Sequence, residues 1–122
     1  MVYPKGKVVS TIISSLKDEK FQDIQASITG FESPGKITWK TTGEGYVPDV
    51  IASLEDDFRL YSVETKLGKV ISKKEKEKWR LFKLYAASRG GSLYLVVSKE
   101  VLHQIQKSIE SSLTNIKFIT VV

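Results

Sequence analysis

Val8, Val9, Ile12, Ile13 and Leu16 recur at the spacing of one helix face behind Pro4 and Gly6, and predict a first helix over Lys7 to Lys20. From Phe21 to Phe31 apolar and polar positions nearly alternate, and Ser33-Pro34-Gly35 is a strong turn signal ahead of Lys36-Ile37-Thr38-Trp39-Lys40. One or two strands are expected there. Thr41 to Gly45, with a glycine on either side of Glu44, reads as a flexible connection, and a plain turn outweighs a role for Glu44. Val47 to Leu54 and Phe58 to Leu67 are rich in β-branched, aromatic and aliphatic residues and enclose Glu55-Asp56-Asp57, the pattern of an antiparallel hairpin.

Beyond Gly68 the pattern changes period. Ser72-Lys73-Lys74-Glu75 matches a capping box, and Trp79, Phe82, Tyr85 and Ala86 form the buried stripe of the helix it opens. Gly90-Gly91 ends that helix, and Ser92 to Val97 is a short apolar run suited to a buried strand. A strand, a crossover helix and a strand in this order imply a parallel pair. Ser98 can cap a third helix in which Leu102, Ile105 and Ile109 share a face, and Ile116 to Val122 reads as a last strand. The expectation is α/β, a mixed central sheet flanked by helices.

Length, charge and residue usage narrow this picture. A chain of 122 residues suits one domain, 1–122. The net charge of +5 gives mild support to a phosphate-bearing partner. Cysteine is absent, which excludes disulfides and thiolate zinc sites, and His103 has no second histidine with which to build a metal cluster. Met1 to Leu16 lacks the continuous apolar region of a signal peptide, and no apolar run is long enough to span a bilayer, so a cytoplasmic protein with no membrane partner is expected.

The candidate chemistry lies on the hairpin. With Asp56-Asp57 as a two-residue turn, Glu55 faces Phe58 and Asp49 lands directly opposite Glu64. Paired Cβ atoms are about 4.5–5.5 Å apart, close enough for two carboxylates to share one cation. Lys66, two residues past Glu64, points to the same face. The plain alternative is a Glu64–Lys66 ion pair on an exposed strand face and an Asp49 that ends a turn.

Pro48-Asp49 and Glu64-Thr65-Lys66, set on adjacent apolar strands with a helix behind them, resemble the PD-(D/E)XK nuclease superfamily. The resemblance runs from the first helix to about Val97 and is nearest to small single-domain members of the Holliday junction resolvase and VRR-NUC types. It implies a restriction-endonuclease-like core and Mg²⁺- or Mn²⁺-dependent hydrolysis of DNA phosphodiester bonds, including those of branched or junction DNA. It also implies catalytic Asp49, Glu64 and Lys66, and metal ligands Asp49, Glu64 and the Thr65 carbonyl. DNA is the implied partner, Lys69, Lys73 and Lys74 are candidate phosphate contacts, and a homodimer is left open.

The sequence departs from that pattern twice. The inner face of the first helix offers Ser10 and Thr11 where many members carry an acid, and Glu75 stands near the place of a common glutamine. Ser72 gives Glu75 a local reason as a cap. The alternative reading is a nuclease-like fold without catalysis that binds nucleic acid or a protein.

Overall fold

The computed structural model describes residues 5–65, 71–108 and 116–121. Lys66, Leu67, Lys69, Ile109 and Val122 lie outside them. Among the described residues the elements follow in the order α1 (Lys5–Asp18), β1 (Asp23–Ala26), β2 (Ile37–Thr38), β3 (Gly45–Tyr46), β4 (Val50–Leu54), β5 (Asp57–Glu64), α2 (Lys73–Ser88), β6 (Ser92–Val97), α3 (Lys99–Ser108) and β7 (Lys117–Thr120). Five strands form a sheet in the order β1-β4-β5-β6-β7, and β2 and β3 form a separate two-stranded sheet. β1, β4 and β5 pair antiparallel, whereas β5, β6 and β7 pair parallel.

Alternation along the strands divides the core in two. On one face α1 buries Val9, Ile12, Ile13 and Leu16 against Val50, Ala52, Tyr61, Val63 and Val96. On the other, Trp79, Phe82 and Ala86 of α2 and Val101 and Ile105 of α3 pack on Leu60, Leu93, Leu95 and Val97. β5 is therefore covered on both sides, which is why its polar residues Ser62 and Glu64 are buried.

Local signals set the helix ends. Ser72 Oγ accepts the Glu75 N–H at 3.1 Å while Glu75 Oε1 accepts the Ser72 N–H at 3.0 Å, a complete capping box. At the other end the Gly90 N–H donates to the Ala87 carbonyl and the Gly91 N–H to the Ala86 carbonyl, with Gly90 at φ +77°, a Schellman arrangement. Ser98 Oγ accepts the Val101 N–H at 3.3 Å and caps α3. Trp79, Phe82 and Ala86 are buried as expected, and Tyr85 is partly covered. His103 is exposed on α3.

The hairpin register differs from the expected one. Leu54 pairs with Asp57 and Val50 with Tyr61, so the turn is Glu55-Asp56 rather than Asp56-Asp57, and Asp49 does not lie opposite Glu64. Two interactions favour this register. Glu55 takes the left-handed conformation, φ +55°, that short hairpin loops require. Arg59 draws Asp57 into the strand, with Nη2 3.0 Å from Asp57 Oδ2. The first hairpin strand starts at Val50 rather than Val47, because Pro48 has no N–H to give to a ladder.

Candidate functional site

Asp49 stands where the chain enters β4. Its N–H donates to the Tyr61 carbonyl, one position out of step with the Val50–Tyr61 pair, so its side chain leaves the regular ladder. Asp49 Oδ2 then accepts the Val63 N–H at 2.7 Å, and Oδ1 meets Lys5 Nζ of α1 at 2.9 Å. The carboxylate is buried, the lysine exposed. One oxygen thus does structural work by completing the β5 backbone, and the other is held by a charge from solvent.

Glu64 is the residue after Val63, so Asp49 holds the backbone N–H of the residue next to Glu64 in β5. Glu64 is 6 % exposed and is held from α2. Its Oε1 lies 2.8 Å from Lys78 Nζ and accepts the Ser62 hydroxyl at 3.3 Å; its Oε2 accepts the Trp79 indole N–H at 3.3 Å. A carboxylate this buried needs a cationic or hydrogen-bonding partner, and this one has both.

The sequence-derived site is therefore brought together in part. Asp49 and Glu64 both lie at the Glu64 end of β5, but they draw their charges from helices on opposite faces of the sheet. Thr65 follows Glu64 and is partly exposed. Lys73 and Lys74 sit exposed in the first turn of α2, while Glu75 serves the Ser72 cap. Glu44, beyond the β2 strand, donates its N–H to Thr42 Oγ1 and gives its carbonyl to the Trp39 N–H, which makes it part of a turn. Lys5, Ser62 and Lys78 are participants that the motif did not point to. Lys78 was detectable from its place four residues before buried Phe82; Lys5 gave no local signal.

Carboxylate oxygens are the kind of donor that a hard divalent cation takes. Asp49 Oδ1 and Glu64 Oε1 are oxygen donors that each already attract an ammonium group. Among the described residues no cluster of three or more acidic or histidine side chains gathers. A cation here would rest on two carboxylates, a carbonyl and water, a set typical of Mg²⁺.

A shallow cleft of about 520 Å³ lies at the other end of β5, lined by Glu55, Asp57, Arg59, Gly91, Tyr94 and Lys117. There Arg59 also reaches Glu19 and sits over the Phe21 ring, and Tyr61 and Tyr94 stack at 5.0 Å. These contacts tie the segment after α1 to the sheet.

Comparison with protein-family models, with curated proteins and with solved structures gives no match. Among the described residues no helix is long and apolar enough to cross a membrane.

Proposed function

We propose that the protein is a divalent-cation-dependent endonuclease that hydrolyses DNA phosphodiester bonds, junction or branched DNA included. The observation that carries this reading is the pair of buried carboxylates at one end of β5, Glu64 and the Asp49 that accepts the N–H of the preceding residue Val63. The order of elements, a helix, an antiparallel hairpin, a crossover helix and a parallel strand, supports a restriction-endonuclease-like core.

Asp49 Oδ1, Glu64 and the Thr65 carbonyl are the oxygens that would hold Mg²⁺ or Mn²⁺. Such an ion, when bound, supplies Lewis-acid polarisation of the phosphate and acidifies a water molecule. The Val63 N–H fixes the Asp49 carboxylate, and Trp79, Ser62 and Lys78 fix that of Glu64, so both ligands are oriented beforehand. Lys66, two residues beyond Glu64 in the chain, supplies an ammonium to the charge that develops on the phosphate. Lys69, Lys73 and Lys74 follow in sequence as contacts for the phosphate backbone.

A second reading has its own support. Asp49 Oδ2 completes the β5 backbone and Glu64 has three donors, so both carboxylates have structural roles that a fold without catalysis would keep.

Asp49→Asn separates the two. Asparagine can still accept the Val63 N–H through its amide oxygen but carries no charge. The variant should lose Mn²⁺ affinity in calorimetry, keep its melting temperature, and bind DNA in EDTA as well as or better than the parent, since one carboxylate no longer repels phosphate. Unchanged Mn²⁺ binding with a lowered melting temperature would assign Asp49 to the structural role alone.

A further inference from the structure

Each carboxylate of the candidate site carries a lysine, but the two pairs are built differently. Lys5 is the first residue of α1, and its side chain is 59 % exposed, whereas that of Lys78 is 22 % exposed. Glu64 has Trp79 and Ser62 besides its lysine. Asp49 Oδ1 has the single described partner Lys5, while Oδ2 is pinned separately by the Val63 N–H.

The first turn of α1 contains Lys5 and Lys7 and no acid. The partial positive charge at a helix N-terminus disfavours cations there, so α1 itself gives the Lys5 ammonium no reason to stay. Asp49 gives it one. A lysine on a flexible stem can leave for solvent at little cost. When it leaves, the Val63 hydrogen bond keeps the carboxylate from turning, and Oδ1 is exposed in its existing orientation.

We propose that Lys5 is a tethered counter-ion of Asp49, occupying Oδ1 in the metal-free protein and yielding it to a divalent cation. This rests on the reading of Asp49 and Glu64 as a cation site and adds a competitor to it. Lys78 stays with Glu64, because its side chain is far more enclosed than that of Lys5. Lys5 thereby keeps the buried Asp49 neutralised between cation-binding events and lowers the site's affinity for the ion. The freed ammonium is then left beside the site, where the phosphate of a substrate arrives.

The test compares Lys5→Met with Lys7→Met, which removes the same charge from the same turn at an exposed position without touching the Asp49 pair. Free Mn²⁺ is followed by electron paramagnetic resonance during titration of the full chain without DNA, and each protein is melted without metal. Lys5→Met should bind Mn²⁺ about two- to fivefold more tightly, the strength of a largely exposed ion pair, and Lys7→Met should bind like the parent. Binding by Lys5→Met where the parent shows none supports the proposal equally. Equal affinity in the parent and Lys5→Met overturns the counter-ion while leaving the cation site, and so does equal tightening by both variants, which would mark a general charge effect. No Mn²⁺ binding by any of the three, with all of them folded, overturns the counter-ion and the cation site together.

Discussion

Trp79 and Glu64 are joined across the interface between α2 and β5, the indole N–H donating to Glu64 Oε2 at 3.3 Å with both side chains buried. The bond links the largest core residue of α2 to the acid of the candidate site. Packing and site orientation are therefore one arrangement rather than two.

Trp79→Phe keeps a ring in the core but leaves Oε2 without its donor. Urea unfolding should show a loss of about 1–3 kcal/mol, the usual cost of an orphaned buried polar group. In a Glu64→Gln background the loss should shrink, since the charge that needed the donor is gone. An equal loss in both backgrounds would mean that Trp79 acts through packing alone.

The capping box gives Glu75 a role apart from the site. Ser72→Ala should cost about 0.5–2 kcal/mol and speed amide exchange in the first turn of α2. Glu75→Gln retains an oxygen for the Ser72 N–H and should leave stability and any cleavage nearly unchanged. Loss of cleavage in a fully stable Glu75→Gln protein would place Glu75 in the site instead.

Burial raises the Tyr61 phenol above its ordinary value near 10, with Tyr94 and Glu19 pushing the same way against the opposing pull of Arg59. The folded state thus holds this proton more firmly than the unfolded chain. The stability that results is whole below pH 10 and is lost as pH rises through the folded value. Tyr46 is raised as well, first by burial and then by Glu44. Unfolding midpoints measured from pH 8 to about 11.5 should fall at the alkaline end, and Tyr61→Phe should flatten the fall without abolishing it. An unchanged slope in Tyr61→Phe would contradict this assignment.

Much of the fold was legible because its signals are local. Ser72 and Glu75 are three residues apart, Gly90 and Gly91 sit at a helix end, and the apolar runs on either side of α2 imply the parallel β5–β6 pair. The register was not legible. A three-residue acidic segment allows the turn to fall at Glu55-Asp56 or one residue later, and the choice depends on Arg59 holding Asp57 and on the left-handed Glu55. The site was half legible for the same reason. Asp49 and Glu64 stand out as polar residues beside apolar strands, but Lys5 reaches Asp49 from an element 44 residues away in sequence. Lys78 lies in a run of lysines that suggests an outer helix face, but its place four residues before buried Phe82 puts it on the inner side, where it reaches Glu64.

Cleavage itself tests the central claim most directly. Supercoiled plasmid and a labelled four-way junction would be incubated with the parent protein in Mg²⁺, in Mn²⁺ and in EDTA, beside folded Glu64→Gln and Lys66→Ala proteins. The account expects nicked or linear products with either cation, none in EDTA, and at least a hundredfold loss in both variants, about the scale of removing one transition-state contact. Cleavage undiminished in EDTA, or a folded parent protein inert with both cations on both substrates, would contradict it.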